Sequence, residues 1–333
     1  MLDERKAAIL RTVVEEYIET AQPVGSAHVA QATSLSVSSA TVRNEMAVLE
    51  HEGYLVQPHT SAGRIPTDKG YRFFVDHLTE PGVLGPAQVQ RVRDFFDRAH
   101  GELERMLHDT SRLLSSVTDY AAVVVSPPHE AAVIRSAQLV RLAPRVALVV
   151  VVLGNGVVEK RTVDLDEGVD DASLGAASAH LATQLVGSTL AQPATPVSSG
   201  DAVTDGVVAA AVAALADDDD DGPDQVFMGG VARMASAFDG VETVRKVVGI
   251  LEQQYVVVSL LRDVLDRGLS VAIGSEHGLE QLSTCAVVVA PYEVEGRVSG
   301  AVGVLGPTRM NYPQALAAVA MVSQRLGRRL SEG

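Results

Sequence analysis

Residues 38–46 read Ser38-Ser39-Ala40-Thr41-Val42-Arg43-Asn44-Glu45-Met46. With a rotation of about 100° per residue, Val42, Met46 and Leu49 share one face of a helix, and the polar residues lie opposite or beside them. A serine at either of the first two positions can cap such a helix, and Gly53 can close it. The stretch therefore predicts an amphipathic helix with an exposed polar face.

That polar face has the side chains that read base edges in a major groove. Arginine forms a bidentate pair with guanine, asparagine pairs with adenine, and small methyl groups contact the thymine methyl. Arg43, Asn44, Ala40 and Thr41 supply this set on or beside the face away from Met46. Serine hydroxyls and backbone N–H groups at the N-terminus can hold a phosphate. A capped helix with an ordinary polar face is the alternative, and the spacing favours DNA reading.

The neighbouring segments predict a helix-turn-helix followed by a β-hairpin. Apolar residues form one helical stripe between positions 3 and 20, and residues 26–32 can form a second short helix. Residues 54–65 begin like a strand, turn, and return to an apolar position, and a further helix is predicted over 67–78 with a threonine cap. Three short helices and a β-loop within about 65 residues is the layout of a winged helix-turn-helix.

The predicted hairpin is small and polar at its turn. Residues 57–66 read Gln57-Pro58-His59-Thr60-Ser61-Ala62-Gly63-Arg64-Ile65-Pro66, so that Arg64 follows a flexible glycine. An arginine at a wing tip suits a narrow minor groove or a phosphate. Residues 53–72 have three basic side chains and one aspartate, a local net charge of +2. Taken by itself, the segment is also compatible with a solvated surface hairpin.

Composition limits the class of protein. The chain has 333 residues, 47% hydrophobic and 21% charged, which predicts two or three folded domains. A single cysteine, Cys285, excludes an internal disulfide and a multi-thiolate zinc site, and it fits a reducing compartment. The charged start lacks an apolar signal core, and the longest apolar runs fall short of the ~18 residues that span a bilayer. We expect a soluble cytoplasmic protein with no membrane partner, associated with the nucleoid when bound to DNA.

Beyond the hairpin, strand-like and helical blocks alternate. A long amphipathic helix is expected after Pro86. Strand-like runs follow at 121–125, 134–142, 146–153 and 157–163, with an Asn155-Gly156 hairpin turn before the last of them. Helical segments are predicted at 172–190, 203–216 and from 241 to 254 or beyond, with an acidic run at 217–221. Strand-like runs return at 269–273, 285–291 and 298–305 before a final helix at 313–330. Strands on both sides of a helical block indicate one α/β domain interrupted by an insertion.

Four stretches together suggest a known family. They are Pro23-Val24-Gly25-Ser26, the helical stretch 38–46, residues 57–72, and Gly306-Pro307-Thr308-Arg309-Met310-Asn311-Tyr312. With these stretches the chain resembles the HrcA family of heat-inducible transcription repressors, over essentially its whole length. The hairpin and 306–312 stretches are the most specific, residues 165–260 match mainly in pattern, and the acidic run at 217–221 is particular to this chain.

The resemblance implies a dimeric bacterial repressor of chaperone operons. The implied fold class is α+β and multidomain: a winged helix-turn-helix DNA-binding domain over 1–82, and a GAF-like domain over 86–164 and 261–333 that is interrupted by an inserted dimerising domain over 165–260. Family members bind an inverted-repeat operator called CIRCE, and a GroEL-type chaperonin maintains their active fold. The implied partners are double-stranded DNA, a second copy of the chain, and that chaperonin.

The helix and hairpin motifs give a set of expected DNA-binding residues. They are Ser38, Ser39, Ala40, Thr41, Arg43, Asn44, His59, Thr60, Ser61, Gly63, Arg64, Lys69 and Arg72. No catalytic residue, metal ligand or cofactor is predicted, because no GxSxG, HExxH, P-loop or metal-ligand spacing occurs. We therefore do not expect an enzyme.

The 306–312 stretch has a structural interpretation. Thr308 or Asn311 can cap the helix predicted after Pro313, and Arg309 is expected to pair with an acidic group across a domain interface rather than to bind a ligand in a GAF-like pocket. Residues 274–277 read Gly-Ser-Glu-His, with His where the family usually has Asn, and no residue-level role is assigned to them.

Other candidate residues are weaker. His51, His59 and His77 lie in or near the predicted DNA-binding region without metal-ligand spacing, and surface or phosphate-contact roles are favoured. Cys285 begins an apolar run and is expected to be a small core residue. Gly300, Gly303 and Gly306 lack the form of a phosphate-binding loop.

Two other functions remain open from the residues themselves. A metabolite-responsive winged-helix regulator would bind a ligand in the GAF-like domain, and an enzyme would need converging acid–base or nucleophilic groups in the α/β domain. We also hypothesise thermal control, because a chain that must dimerise to bind DNA loses its active form when heating shifts the folded dimer population.

Net charge qualifies the DNA hypothesis. The chain has 27 basic and 42 acidic side chains, a net charge of −15, and such a balance by itself argues against a nucleic-acid partner. Residues 1–80 have a net charge of −4, whereas residues 201–224 contribute −8 with no basic residue among them. An acidic body would weaken non-specific binding, so we expect selective, dimer-dependent binding with few phosphate contacts per subunit.

Overall fold

Helices and antiparallel sheets make up the computed structural model of the chain. It describes residues 2–32, 37–60, 62–78, 82–99, 103–126, 133–154, 158–190, 197–216, 225–235, 238, 240–266, 270–294 and 296–332. These residues form three parts: an N-terminal unit (2–78), a central sheet with its flanking helices, and an inserted unit (133–216). The fold is therefore a mixed arrangement of helices and sheets. Among the described residues, no helix combines the length and the apolar character needed to cross a bilayer.

The N-terminal unit consists of helices and one short hairpin. Its elements are α1 (Glu4–Thr20), α2 (Ser26–Ala32), α3 (Ser39–His51), β1 (Leu55–Val56), β2 (Ile65–Pro66) and α4 (Asp68–Phe73), which continues into a π-helical turn (Phe74–Leu78). Asp3 caps α1 by accepting a hydrogen bond from the Lys6 backbone N–H at 2.9 Å. Ile9, Leu10, Val13 and Val14 of α1 are fully buried and pack in one core with the apolar face of α3. The helices and the hairpin predicted for this region are confirmed.

Two helices, rather than one, follow Pro86. They are α5 (Pro86–Arg98) and α6 (Leu103–Thr118). Proline occupies the first turn of α5, where its missing N–H costs nothing. The continuous amphipathic pattern thus belongs to two helices with their apolar faces in the same core.

The central sheet has the strand order β7-β3-β10-β9-β8, with every pairing antiparallel. Its strands are β3 (Ala121–Val125), β7 (Val226–Gly229), β8 (Val271–Ile273), β9 (Cys285–Val294) and β10 (Arg297–Pro307). Helices α10 (Val241–Leu251), α11 (Gln254–Asp266) and α12 (Tyr312–Glu332) accompany it, together with the short α9 (Val231–Ala235).

Alternate residues of the central strands face two different cores. Ala122, Val124 and Val288 lie in the core that contains α6 and α12, whereas Val123 and Val289 lie in the core that contains α10 and α11. Helices therefore cover both faces of the sheet, which explains why its strands read as continuous apolar runs rather than as alternating ones.

The inserted unit interrupts the central sheet between β3 and β7. Strands β4 (Ile134–Ala143), β5 (Val146–Leu153) and β6 (Val158–Asp164) form a separate antiparallel sheet, and α7 (Asp171–Leu185) and α8 (Ala202–Ala216) pack on it in a separate core. The topology thus places the insertion at 133–216 instead of the expected 165–260. Hydropathy identified the strands of 134–164, but it does not specify which sheet a strand joins. Strand β7 pairs with β3, so the chain has rejoined the central sheet before α10 begins.

Some predicted features lie outside the described residues. The Asn155-Gly156 turn falls there, although β5 and β6 on either side pair in register from Val152 and Val158 onward. The acidic run at 217–221 also falls there.

One apolar core joins the N-terminal unit to the central sheet. It includes Leu10 of α1, Tyr71 of α4, Leu114 of α6 and Tyr312 of α12, all buried. The rings of Tyr71 and Tyr312 are in contact, with centroids 5.9 Å apart. The orientation of the N-terminal unit is therefore set partly by side chains more than 200 positions away in the sequence.

Candidate nucleic-acid interface

The beginning of α3 is fixed by a serine cap. The Thr41 backbone N–H donates to Ser38 Oγ at 3.2 Å, and the two side-chain hydroxyls lie 3.0 Å apart. Of the two serines that the sequence offered, Ser38 is the cap and Ser39 begins the helix. The cap satisfies one N–H of the first turn and leaves the others directed out of the helix end.

The outward face of α3 is open. Ser39, Ala40, Arg43 and Asn44 are exposed, and Thr41 is partly exposed on their flank. Val42, Met46 and Leu49 on the other side are at most 3% exposed and hold the helix against α1 and α2. The structure thus brings the proposed base-reading side chains together on one accessible surface, beside the capped N-terminus.

The hairpin is ordered by its own glutamine. The Gln57 side-chain amide donates to the carbonyl oxygens of Thr60 at 3.1 Å and Ala62 at 2.9 Å, which closes the loop. His59 and Thr60 are exposed at its outer end, while Ser61 lies outside the described residues.

Gly63 is required by close packing. A Cβ atom at this position would lie 2.3 Å from the Val24 carbonyl oxygen, a distance that no side chain tolerates. The glycine therefore lets the hairpin approach the segment before α2, and a role in loop flexibility is not needed to explain it.

Arg64 lies at the base of the hairpin rather than at its tip. Its backbone N–H and carbonyl both pair with Val24 at 2.9 Å, and its guanidinium binds Glu50 of α3 through Nε and Nη2, each at 2.9 Å. The side chain is 17% exposed. This placement differs from the predicted wing-tip position, because Arg64 directly precedes β2, pairs with Val24 through its backbone and directs its side chain toward α3.

Lys69 contacts the C-terminal end of α3. Its ammonium group donates to the Glu52 carbonyl oxygen at 2.8 Å and lies 4.3 Å from the centre of the Tyr54 ring. A cation at a helix C-terminus is favourable because that end has a partial negative charge. Lys69 is exposed at the surface, so it remains a candidate phosphate contact.

Arg72 faces the central sheet, and its guanidinium forms hydrogen bonds there. Its Nε donates to Glu276 Oε1 at 2.8 Å, Nη2 donates to Glu276 Oε2 and to the Val271 carbonyl at 2.7 Å, and Nη1 donates to Asp76 at 3.0 Å. The hydrogen bonds that the guanidinium donates to Glu276 are the main cause of its raised pKa. The arginine counted among the DNA contacts by local charge is thus part of the contact between the N-terminal unit and the central sheet.

The sequence does not predict the partner of Arg72. In the 274–277 segment, to which the sequence gives no residue-level role, Glu276 binds Arg72, and Ser275 donates to Asp68 from its backbone N–H at 3.2 Å. Oppositely charged residues at positions 68 and 72 were visible in the sequence, but no local signal indicates a partner about 200 residues further along.

The 306–312 stretch shapes the junction between the units. Asn311 accepts from the Gln314 backbone N–H at 3.1 Å and so serves as the cap anticipated for the last helix. Arg309 lines a cavity of about 300 Å³ together with Tyr17 of α1 and hydroxyl-bearing side chains of the central unit. It therefore lies at an interface between units.

The remaining candidate residues, Cys285 and His77, pack against other parts of the fold. Cys285 is buried, and burial raises the pKa of its thiol to about 12, so it stays protonated as a core residue. The His77 ring stacks on Phe73 with centroids 4.5 Å apart. Within the described ranges, no group of three or more His, Cys, Asp or Glu side chains is placed to hold a metal ion.

Comparison with known proteins gives consistent matches. The family model described as the HrcA protein C-terminal domain matches residues 104–316. A heat-inducible transcription repressor HrcA from Nocardia farcinica is 38% identical, covering 99% of this chain and 97% of its own length. The same-named protein of Pelotomaculum thermopropionicum is 37% identical, covering 98% of this chain and 96% of its own length. A crystal structure described as a hypothetical protein at 2.2 Å resolution superposes with a TM-score of 0.67 at 22% identity, covering 100% of this chain and 99% of its own.

Proposed function

The chain belongs to the HrcA family of heat-inducible transcription repressors, and we propose that its N-terminal unit is a winged helix-turn-helix that binds an inverted-repeat operator. The curated relatives are named as transcription repressors, so the family is one of regulators rather than of enzymes. Those names favour repression over the ligand-sensing alternative.

The observation that carries the proposal is the open face of α3. Arg43, Asn44 and Ala40 are exposed together, next to the N-terminus capped by Ser38. Their chemistry matches guanine, adenine and the thymine methyl in a major groove, and an uncapped N–H at a helix N-terminus suits a phosphate. In our proposal Arg43 and Asn44 read bases, while Ser38, Ser39 and Thr41 hold the backbone.

The hairpin supports DNA binding from beside the helix. His59 and Thr60 are exposed at its outer end, and Lys69 is exposed beside the C-terminal end of α3. We propose that these three residues, with Ser61 and the backbone at Gly63, contact phosphates or the minor groove. Arg64 acts in this scheme by joining the hairpin to α3 through Glu50.

Dimerisation is proposed for the inserted unit. Its helices cover one face of the three-stranded sheet, while on the other face Val150 and Val152 are half-buried and Val140 and Val158 are 45% and 46% exposed. An apolar sheet face left open in this way is suited to a second copy of the same chain. The two copies would place their α3 helices in successive major grooves of an inverted repeat.

The central sheet completes the proposed architecture. We propose that residues 86–126 and 225–332 form the GAF-like domain of the family and that 133–216 is its inserted dimerising domain. Two helical layers cover the sheet, and α6 and α12 contribute to the core that holds the N-terminal unit. The domain thus positions the proposed recognition helix in this scheme.

The curated relatives are named heat-inducible transcription repressors, and we propose that this chain loses repression on heating by loss of its dimer. Two copies are needed for tight binding, so a modest loss of folded dimer lowers operator occupancy steeply. A GroEL-type chaperonin would restore the dimer by refolding the chain. The operator would be CIRCE-type, as the family resemblance implies.

Binding to a CIRCE-type duplex tests the proposal. Fluorescence anisotropy would compare the inverted repeat with a duplex in which both half-sites are scrambled, at two salt concentrations. We expect the protein to prefer the inverted repeat by at least about 10³-fold, the lower end for specific DNA-binding proteins. Equal affinity for the two duplexes would overturn the proposal.

Temperature is the second variable in this experiment. Holding the protein at heat-shock temperature is expected to lower binding to the inverted repeat, and adding a GroEL-type chaperonin with ATP is expected to restore it. Binding that persists unchanged through heating would exclude the proposed route to induction. Sedimentation of the same samples measures the dimer fraction.

A further inference from the structure

Helix α4 has contacts on two opposite sides. On one side lie the end of α3 and the start of the hairpin, and on the other lies the turn at Gly274–His277, which follows β8 of the central sheet. Six residues of helix thus connect the proposed recognition helix to the central unit.

The side toward α3 is tightly defined. The Thr67 hydroxyl donates to the Gly53 carbonyl at 2.6 Å, and the Lys69 ammonium donates to the Glu52 carbonyl at 2.8 Å. A Cβ atom on Gly70 would lie 2.2 Å from the Tyr54 carbonyl oxygen, so helix and backbone are as close as a glycine allows. These contacts leave α4 little freedom to rotate relative to α3.

The side toward the central unit is held by charge. Arg72 forms a bidentate pair with Glu276 and also donates to the Val271 carbonyl at 2.7 Å. Glu276 Oε2 accepts in turn from the Ile273 backbone N–H at 2.8 Å, which fixes the carboxylate on the turn. The two side chains are 21% and 28% exposed, so water screens the pair incompletely.

A second polar contact lies one helical turn earlier. Asp68 Oδ2 accepts from the Ser275 backbone N–H at 3.2 Å and from its hydroxyl at 3.4 Å. Gly274 has a φ of +57° and approaches Asp68 so closely that a Cβ there would lie 2.1 Å from Oδ2. Both ends of α4 are therefore fixed to one turn of the central unit.

The contact does not obstruct the proposed DNA surface. With Arg72 and Glu276 paired, Ala40, Arg43 and Asn44 are exposed. The pair therefore cannot be a lock that hides the recognition helix. Contacts that fix α3 through α4 and leave its exposed face accessible are suited to holding α3 in one orientation.

We propose that Arg72 and Glu276 are positioning residues for operator binding: through α4 they set the orientation of α3 relative to the central unit, and hence to the second copy. The inference rests on the proposed function. Two recognition helices must enter grooves about 34 Å apart, so a small rotation of each unit loses one half-site even when each helix still reads its own. A bidentate arginine–carboxylate pair restricts rotation because it fixes two donor–acceptor directions at once.

The test separates orientation from local DNA reading. Anisotropy titrations would use a duplex with both half-sites and a duplex with one intact half-site. For Glu276→Gln we expect a loss of about 10- to 100-fold on the full operator, within the usual range for coupling between two binding sites, and a change of less than about twofold on the half-site. Arg72→Lys, which keeps the charge but not the bidentate geometry, should give a smaller loss of the same kind.

A matched control removes an equivalent charge elsewhere. Glu242 pairs with Arg245 on α10 at 2.9 Å, with both side chains more than 70% exposed. Glu242→Gln is expected to bind both duplexes like the original chain. The thermal melting of each variant would be measured in the same buffer, and a melting temperature close to that of the original chain shows that an affinity change is not unfolding.

A readout without DNA measures orientation directly. Spin labels on His51→Cys and Glu332→Cys, both at exposed positions, would report the distance between α3 and α12, while the buried Cys285 stays unlabelled. Labelled chains would be diluted into unlabelled ones so that distances within one chain dominate. Glu276→Gln is expected to broaden this distance distribution.

Three outcomes would overturn the inference: unchanged binding of both duplexes by Glu276→Gln, an equal loss on both, or an unchanged distance distribution. An equal loss would mean that the pair supports the local fold of the N-terminal unit. Failure of the proposed function looks different, because the original chain itself would then show no preference for either duplex over a scrambled one.

Discussion

Helices α3 and α4 belong to the same small unit, and both have charged side chains, yet they use them in opposite ways. The polar face of α3 is open, with Arg43 and Asn44 exposed. The charged side chains of α4 that face the central unit are occupied, with Arg72 paired to Glu276 and Asp68 bonded to Ser275. Local sequence suggested DNA contacts on both helices.

The difference shows that surface charge becomes a binding site only where the rest of the chain leaves it free. A basic residue near a predicted wing has the same local pattern whether it meets a phosphate or a carboxylate of another unit. Contact with a distant segment decides between these outcomes, and for Arg72 the partner is the Glu276 carboxylate rather than a phosphate. The comparison thus separates residues that would touch DNA from residues that hold those residues in place.

The largest effect is expected from Gly70→Ala. The added methyl group would overlap the Tyr54 carbonyl oxygen at 2.2 Å, and neither backbone can move away without opening the hairpin. We expect a loss of about 3 kcal/mol in the free energy of unfolding and a loss of operator binding on full and half-site duplexes. Chemical denaturation measures the free energy of unfolding, and fluorescence anisotropy measures the affinity for each duplex. Gly249→Ala in α10, where a Cβ meets nothing within 4 Å, is the control and should be neutral or stabilising.

Arg43→Ala and Asn44→Ala come next. Each should weaken cognate binding by about 1–3 kcal/mol and relax base preference, because each removes a side chain proposed to read a base edge. Thermal melting should not change, since both side chains are exposed. Arg93→Ala removes the same charge from an exposed position of α5 and should leave affinity as it is. If both variants bind the operator normally in gel-shift assays, α3 is not the recognition helix.

Glu50→Gln distinguishes two roles of Arg64. If Arg64 supports the hairpin, as its pair with Glu50 indicates, Glu50→Gln and Arg64→Ala should each lower the free energy of unfolding by about 1–2 kcal/mol and weaken binding to a similar extent. A direct phosphate contact predicts otherwise: Glu50→Gln would then preserve or strengthen binding while Arg64→Ala weakens it. Parallel anisotropy and denaturation series separate these patterns.

The smallest expected effect belongs to Ser38→Ala. The change removes the hydrogen bond that the Thr41 N–H makes to the serine hydroxyl at 3.2 Å. A lost N-cap costs about 1 kcal/mol of stability. Ser39→Ala, one position into the helix, should cost less, so a thermal-melting comparison of the two tests the assignment of the cap. A larger loss for Ser39→Ala would contradict it.

Much of the local structure follows from periodicity and caps. Val42, Met46 and Leu49 fixed the buried face of α3, Thr67 capped α4 as expected, and the strands of the central sheet lie where continuous apolar runs occur. These features depend on neighbours within one or two helical turns, or on burial of both faces of a sheet. Both leave a local pattern of apolar and capping residues that can be read from one sequence.

What could not be predicted depends on distant pairing. Strands β4–β6 have the same apolar character as the central strands, and only the pairing partner shows that they form a second sheet. The contact between Arg72 and Glu276 joins positions 204 residues apart. The direction of the Arg64 side chain toward Glu50 depends on the backbone bridge between Arg64 and Val24 just before β2, and hydropathy locates such a boundary only to within a few residues.

The apolar core shared by α1, α4, α6 and α12 limits how this protein can be recombined. Cutting the chain after Leu78 would remove Tyr312, whose ring contacts that of Tyr71, a side chain only 2% exposed in the whole protein. The N-terminal unit therefore cannot be transferred by itself. A chimaera that joins it to another protein must also include the packing surfaces of α6 and α12. From the same continuity we expect cooperative melting, in which heat that loosens the central unit also disorders the proposed recognition helix.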